Sequence, residues 1–301
     1  MASEQLEKVR GMAGKLASII DEHVEAQQYD ALRSLLSSNG MPPPEGTRTA
    51  ATKADGIPAE WVQAPNSDPD KRLLYLHGGG YVIGSLDTHR DLVARIAAAT
   101  GYAALFLDYR LAPEHPYPAA VDDAVAALRW MHDNGPDGPQ PASKTLVAGD
   151  SAGGGLTLAA LVQARDTGIP LPDAAVTLSA WSDMAVSGET LQTRKDVDPM
   201  IGEAGLKRMA GLYLGGAPAQ TPLASPVYAE LAGLPPLLMQ VGDHEIILAD
   251  TTRVAERARA AGVDVTLEEW PEMVHVWQQF AGMLPEGQQA IDRIGEWVRA
   301  R

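Results

Sequence analysis

Two glycine-rich segments of this chain each come directly after a short apolar run that is typical of a buried strand. The first reads HGGGY at residues 77–81, and the second reads GDSAG at residues 149–153. The second has the G-x-S-x-G pattern of a nucleophile elbow, a sharp strand-to-helix turn that exposes a serine hydroxyl. The first is typical of a loop whose backbone N–H groups stabilise an oxyanion. Together, in this order, they predict a serine hydrolase with Ser151 as its nucleophile.

The oxyanion donors are predicted from the same two segments. Glycines let the backbone of the first segment approach a substrate without a Cβ in the way. Ala152 follows the serine at the start of the next helix, where free N–H groups and the helix dipole favour negative charge. We therefore expect Gly79, Gly80 and Ala152 to supply the donors, with Gly78 as an additional candidate.

A phosphate- or dinucleotide-binding loop is the alternative interpretation of the first segment. Its glycines at 78, 80 and 84 do not have the G-x-G-x-x-G spacing, and no Lys-Ser/Thr of a P-loop follows. The nucleotide interpretation is therefore disfavoured.

The general base is predicted from chain order. A serine hydroxyl is a weak nucleophile unless a base takes its proton. In α/β-hydrolases the acid and then the histidine follow the serine along the chain, which leaves His244 and His275 among the seven histidines. His275 follows the last predicted strand, residues 264–270, and so lies at the carboxyl edge of the sheet, where the elbow also points. We predict that His275 is the base.

The acid is less sharply defined by the residues alone. Asp243, Glu245 and Asp250 all follow the predicted strand at 235–241. The acid must accept the Nδ1–H of His275 and stabilise its imidazolium form, which either carboxylate type can do. Asp250 is the weakest candidate because it falls at the next helix, and the other two stay open.

Composition narrows the classes of partner and cofactor. The chain has 301 residues, a net charge of −15 and no cysteine. The acidic surface disfavours nucleic acid, and the lack of cysteine excludes disulfides and thiolate catalysis. No His-Glu-x-x-His or EF-hand pattern is present, so we expect neither a metal nor a cofactor.

The sequence also favours a cytoplasmic protein without a membrane partner. The first ten residues are charged and lack the apolar core of a signal peptide. No apolar run approaches the ~20 residues that cross a bilayer.

Alternating strand and helix patterns predict an α/β fold with a mostly parallel sheet and helices on both faces. Residues 3–38 are predicted as one amphipathic helix, because apolar residues recur every three or four positions. Residues 181–234 lack a strand pattern and interrupt the alternation. We therefore divide the chain into an N-terminal cap part (1–45), a catalytic domain (46–180 and 231–301) and a cap insertion (181–230). Strands are predicted at 47–54, 58–64, 72–77, 104–109, 145–149, 174–180, 235–241 and 264–270, and further helices at 88–99, 118–133, 152–166, 249–261 and 286–300.

These motifs resemble those of the hormone-sensitive-lipase family of carboxylesterases. The resemblance runs from about Trp61 to Trp277 and includes the DYRLAPE segment at 108–114 and the stretch at 225–236. It implies an α/β-hydrolase fold with an eight-stranded sheet and a helical cap built partly from the N-terminus. It also implies a homodimer formed through the last strand.

The resemblance selects one acid. Glu245 precedes His275 by 275 − 245 = 30 residues, the spacing of the acid in many members of the family. This chain lacks the Asp-Pro-Leu sequence common there, so Asp243 stays an additional candidate. The resemblance thus implies a Ser-His-Glu triad of Ser151, His275 and Glu245.

The implied activity is hydrolysis of a small-molecule ester through an acyl-enzyme. We expect short- to medium-chain acyl groups, because the predicted cap is aliphatic and rich in methionine. A lactone hydrolase and a deacetylase or amidase are alternatives that use the same triad. A non-catalytic small-molecule receptor, like the plant gibberellin receptor of the same fold, is a further alternative, disfavoured because Ser151 and His275 are both retained.

Overall fold

The computed structural model describes residues 3–301 and contains one large sheet of eight strands. Six neighbouring strands are parallel, and the first two strands of the chain pair antiparallel at one edge. The predicted eight-stranded, mostly parallel sheet is confirmed. In spatial order the strands are β1 (Arg48–Ala54), β2 (Ile57–Gln63), β4 (Tyr102–Leu107), β3 (Asp68–Leu76), β7 (Lys144–Asp150), β8 (Ala174–Leu178), β9 (Leu237–Gly242) and β10 (Val265–Trp270), while β5 (Asn134–Gly135) and β6 (Gly138–Pro139) form a separate hairpin.

Helices cover both faces of this sheet. Side chains of a strand alternate between its faces, and on β3 Leu74 and Leu76 belong to one apolar cluster while Leu73 and Tyr75 belong to another. The first cluster includes residues of the helices Ala119–Asp133, Ala152–Thr167 and Leu248–Ala260, and the second includes residues of the helices Leu86–Thr100 and Pro285–Arg299. The helices are α1 (Glu4–Glu25), α2 (Tyr29–Ser38), α3 (Leu86–Thr100), α4 (Ala119–Asp133), α5 (Ala152–Thr167), α6 (Thr190–Thr193), α7 (Glu203–Leu214), α8 (Leu248–Ala260) and α9 (Pro285–Arg299), with 3₁₀ turns at Pro226–Tyr228 and Trp277–Phe280.

The prediction of one helix over residues 3–38 is wrong. The chain forms two helices, α1 and α2, separated at residues 26–28. Gln27 there has φ = 57°, a left-handed conformation that a right-handed helix cannot contain. No glycine or proline marks the break, so the local sequence carries no strong signal for it.

The insertion between β8 and β9 contains α6, α7 and the first 3₁₀ turn. Leu206 and Tyr213 of α7 are buried in the same apolar cluster as Val24 of α1 and Leu32 of α2. The two segments that are distant in sequence therefore belong to one packed region. Within residues 3–301, no helix has both the length and the apolar character needed to cross a membrane.

Candidate active site

Ser151 lies at the turn between β7 and α5. Its backbone has φ = 52° and ψ = −119°, a conformation that is strained for any residue with a side chain. A Cβ placed on Gly149 would lie 2.2 Å from the carbonyl oxygen of Gly153, and one on Gly153 would lie 2.0 Å from that of Leu76. Glycine is therefore required on both sides of the serine, which explains the G-x-S-x-G spacing.

A continuous hydrogen-bonded chain joins Ser151, His275 and Glu245. The Nε2 atom of His275 lies 2.9 Å from Oγ of Ser151, and its Nδ1 atom lies 2.8 Å from Oε2 of Glu245. Glu245 is fully buried, and His275 is only 3% exposed. Hydroxyl, imidazole and carboxylate are thus arranged so that a proton can pass from the hydroxyl to the ring.

Ser179 holds the carboxylate of this chain in place. Its hydroxyl donates a 2.7 Å hydrogen bond to Oε1 of Glu245 and accepts one of 3.1 Å from the N–H of Val276, the residue after His275. The N–H of Gly242 donates a second bond, of 2.6 Å, to Oε1. Ser179 was not among the predicted site residues. The signal for it is a serine directly after β8, at the edge where β7 and β9 also end.

The other two candidate acids do not contact His275. The Oδ1 atom of Asp243 accepts a 2.6 Å bond from the N–H of Glu272. Asp250 lies in α8 and accepts bonds from the N–H groups of Ser182 and Asp183. Burial, followed by the charge of Asp183, raises the pKa of Asp250 to about 8. Both side chains therefore hold backbone segments rather than the imidazole.

The glycine loop presents free donors beside Ser151. Gly79 and Gly80 have φ values of 116° and 61°, and a Cβ on Gly79 would lie 2.2 Å from the carbonyl oxygen of Ile83. Within residues 3–301, no backbone or side-chain acceptor is bonded to the N–H groups of Gly79, Gly80 or Ala152. They are therefore available to a developing negative charge.

Packing and hydrogen bonds at His77 and Gly78 hold the glycine loop in place. The ring of His77 stacks on that of Tyr109 at 4.4 Å between centroids, and the Tyr109 hydroxyl donates a 2.6 Å bond to the His77 carbonyl. Burial, followed by the charge of His89, lowers the pKa of His77 to about 4. A Cβ on Gly78 would lie 2.3 Å from Oδ2 of Asp150. Gly78 is thus fixed by packing, and His77 is a neutral structural residue.

A cavity of about 360 Å³ opens onto Ser151 and His275. Its walls are mostly apolar and include Leu16 of α1 and Leu206 of α7. Met209 of α7 lies over the glycine loop, with its sulfur 3.2 Å from where a Cβ on Gly80 would be. Five methionines line the cavity: Met12, Met41, Met200, Met209 and Met283.

Comparison with known proteins identifies the family. A family model described as the α/β hydrolase fold matches residues 73–279. The crystal structure of an esterase from the bacterial hormone-sensitive lipase family is 48% identical, covers 100% of this chain and 99% of its own, and has a TM-score of 0.91. The chain belongs to the hormone-sensitive-lipase family of α/β-hydrolases.

Two further relatives align with almost the whole of this chain. An acetyl-hydrolase of Streptomyces hygroscopicus is 43% identical over 99% of this chain and 97% of its own length. A hormone-sensitive lipase from a metagenome library is 37% identical, with a TM-score of 0.83 over 95% of this chain and 98% of its own. The predictions of this family and of an ester hydrolase are confirmed.

Proposed function

We propose that this esterase uses Ser151 as nucleophile, His275 as general base and Glu245 as the acid of a Ser-His-Glu triad. The hydrogen-bonded chain from Ser151 through His275 to Glu245 carries this proposal. The carboxylate fixes the ring with its Nδ1 protonated, so that Nε2 is free to accept the serine proton.

The reaction follows from this arrangement. Ser151 attacks the ester carbonyl as His275 takes its proton, and the N–H groups of Gly79, Gly80 and Ala152 bind the resulting oxyanion. His275 then protonates the departing alcohol, which leaves an acyl group on Ser151. Water that is deprotonated by His275 attacks this acyl-enzyme, and collapse of the second tetrahedral intermediate releases the carboxylic acid and restores Ser151.

We expect the acyl specificity to favour short to medium chains. Ser151 lines a cavity of about 360 Å³ with mostly apolar walls, and a cavity of this size and character suits a small ester. We expect p-nitrophenyl esters to be hydrolysed with a maximal kcat/KM between acetate and octanoate and with little activity on palmitate. The measurement is kcat/KM across the series from acetate to palmitate. Faster hydrolysis of palmitate than of butyrate would contradict the proposed substrate class.

Removal of acetyl groups is the second candidate activity. It is favoured by the 43% identity to a protein named acetyl-hydrolase. The same triad acts on an acetylated alcohol or, with a different leaving group, on an acetylated amine. The measurement compares hydrolysis of an acetyl ester with hydrolysis of the acetamide of the matching amine. Activity on the ester alone assigns an esterase, and comparable activity on both assigns a broader deacetylase.

We also propose that residues 181–230 and the described part of the predicted segment 1–45, residues 3–45, form a cap over the site. Met12 of α1 and Met209 of α7 both line the cavity that contains Ser151, which supports this division.

The homodimer through the last strand stays a prediction. It is supported by the position of β10 at the edge of the sheet, where its outer side carries no partner strand within residues 3–301.

The acid side of the pH profile is a direct test of His275 as base. Burial lowers the pKa of His275, but the hydrogen bond and charge of Glu245, with smaller effects of Asp198 and Asp150, outweigh burial and raise it. Only the neutral ring can accept the serine proton. We therefore expect kcat/KM for a butyrate ester, followed by pH-stat, to fall with decreasing pH around a midpoint above the ~6.5 of a free histidine side chain. A midpoint below that value would contradict this assignment.

A further inference from the structure

The insertion between β8 and β9 is hydrogen-bonded to the loop that carries Glu245. This loop, residues 243–247, joins β9 to α8 and is called the acid loop below. Oγ1 of Thr190, in α6, donates a 2.7 Å bond to the carbonyl of Ile246. Nε of Arg194 donates a bond of the same length to the carbonyl of the first residue of the acid loop. Side chains of the insertion therefore hold the backbone of this loop on both sides of Glu245.

Asp198 makes the contact that is nearest to Glu245. Its Oδ2 atom accepts a 2.9 Å bond from the N–H of Ile246, the residue that follows Glu245. Its Oδ1 atom accepts bonds of 2.9 Å from the N–H groups of Met200 and Ile201. Both of these residues line the cavity of the proposed active site. One carboxylate thus joins the cavity wall to the backbone beside Glu245.

The bond to Ile246 fixes the peptide unit that carries Glu245. A peptide bond is planar, so a hydrogen bond to the N–H of Ile246 also restrains the carbonyl group of Glu245. A carboxylate acceptor makes such a bond stronger than a neutral one does. The Glu245 side chain is fully buried and meets Nδ1 of His275 at 2.8 Å. Rotation of this peptide unit would therefore move the carboxylate away from the imidazole.

We propose that Asp198 is a positioning residue that holds Glu245 against His275 and ties this contact to the wall of the substrate cavity. The proposal rests on the proposed triad, because Asp198 acts through Glu245. It gives the insertion a second role besides lining the cavity.

The charge of Asp198 acts on the same histidine. Burial lowers the pKa of His275, but the hydrogen bond and charge of Glu245, after β9, outweigh burial and raise it. Asp198 in the insertion adds a smaller effect in the same direction, followed by Asp150 at the end of β7. Loss of the Asp198 carboxylate should therefore lower the pKa of His275 both directly, through its charge, and indirectly, by loosening Glu245.

Asp198→Asn breaks the two halves of this contact unequally. An amide has one acceptor oxygen and an NH₂ group that only donates. With its oxygen toward Met200 and Ile201, the asparagine keeps two bonds. Its NH₂ group then faces the N–H of Ile246, which is also a donor. This variant is therefore expected to keep the cavity wall and release the acid loop.

Asp198→Ser makes the same separation by a different route. A serine hydroxyl can form the same kind of local turn, in which it accepts a bond from the N–H two residues ahead, here that of Met200. Its side chain is shorter and carries one oxygen, so it cannot also hold the N–H of Ile246. If one of the two variants does not fold, the other decides.

The first test measures the contact of His275 with Glu245 without any substrate. A hydrogen held between an imidazole and a carboxylate in a charge-assisted bond resonates far downfield of the backbone amides in proton NMR. His275→Gln identifies this signal by its disappearance. In Asp198→Asn and Asp198→Ser we expect the signal to shift upfield or to be lost through exchange with water. An unchanged signal in a folded variant would overturn the proposal.

The second test is steady-state hydrolysis of p-nitrophenyl butyrate as a function of pH. We expect each variant to lower kcat roughly tenfold and to leave KM within about twofold, because the lost contact acts in the transition state. The acid-side midpoint of the profile should also fall. A merely structural role would lower Tm but leave kcat per folded molecule and the midpoint unchanged, and that result would reject a positioning role.

Asp173→Asn is the matched control. The Asp173 carboxylate also accepts a bond from a backbone N–H, that of Thr145, at 2.7 Å. It directly precedes β8, however, and so lies at the end of the sheet opposite Ser151. We expect the wild-type NMR signal, kcat and midpoint from this variant.

The NMR signal separates this proposal from the proposed triad. If the signal changes in the Asp198 variants while ester hydrolysis survives Ser151→Ala, the proposed nucleophile is wrong and the role of Asp198 in holding Glu245 is supported. If Ser151→Ala is inactive but the Asp198 variants keep the wild-type signal, the triad stands and the positioning role is rejected.

Discussion

Ser151→Ala is expected to lower kcat for p-nitrophenyl butyrate by a factor of roughly 10⁴–10⁶, because the acyl group then has no nucleophile to receive it. The oxyanion donors and the cavity stay in place, so KM should change far less than kcat. Alanine also fits the elbow, since the strained backbone at position 151 already carries a Cβ. The measurement is steady-state hydrolysis by both proteins, with circular dichroism to show that the variant is folded.

Ser143→Ala is the matched control for this loss. Ser143 is exposed and directly precedes β7 at the end opposite Ser151, and within residues 3–301 its hydroxyl bonds only the Asp70 backbone carbonyl. We expect wild-type kcat from it. A phenylmethanesulfonyl group should attach to the wild-type peptide that contains Ser151 and to no peptide of Ser151→Ala. Activity retained by folded Ser151→Ala would reject the elbow as the reaction centre.

The sequence was sufficient to predict the elbow because its requirements are local. The strand before it is a continuous apolar run, and the glycines at 149 and 153 are imposed by contacts of 2.2 and 2.0 Å that any Cβ would make. Such constraints act on fixed positions around one residue. They therefore appear in the sequence as a motif, and the structure places Ser151 at the predicted turn between β7 and α5.

The carboxylate that contacts His275 was harder to predict, because two carboxylates follow β9 only two residues apart. What separates them is the approach of two loops that are distant in sequence. A Cβ on Gly242 would lie 2.2 Å from the Met273 carbonyl, so the chain after β9 passes directly beside the loop of His275. In that arrangement Glu245 turns inward to the imidazole, while Asp243 bonds the N–H of Glu272. Local sequence does not contain this geometry.

The sequence predicts that the cavity wall is apolar, but it does not predict which residues come together to form it. Apolar periodicity in α1 indicates that one face of the helix is covered. It does not indicate that Leu16 of α1 and Leu206 of α7 share a cavity with Ser151. The chain also breaks between α1 and α2 at Gln27, and no glycine or proline marks this break in the sequence. Tertiary packing therefore determines which residues form this part of the cavity wall.

Glu245→Gln is expected to lower kcat by roughly 10³–10⁴, close to the loss when the acid of such a triad becomes an amide. The glutamine amide can donate a hydrogen bond to Nδ1 of His275, which favours the ring form with its hydrogen on Nε2. That ring cannot accept the proton of Ser151. Removing the carboxylate also removes the largest cause that raises the pKa of His275, so the residual activity should persist to lower pH than in the wild type.

Asp243→Asn is the comparison that assigns the role, since it makes the same chemical change two residues away. An asparagine side-chain oxygen can still accept the bond from the N–H of Glu272 that Asp243 accepts at 2.6 Å. We therefore expect kcat within about threefold of wild type and an unchanged acid-side midpoint, because the partly exposed Asp243 carboxylate does not contact His275 and contributes little. The measurement is kcat and the pH profile of both variants. A large loss in Asp243→Asn together with a small loss in Glu245→Gln would transfer the acid role to Asp243.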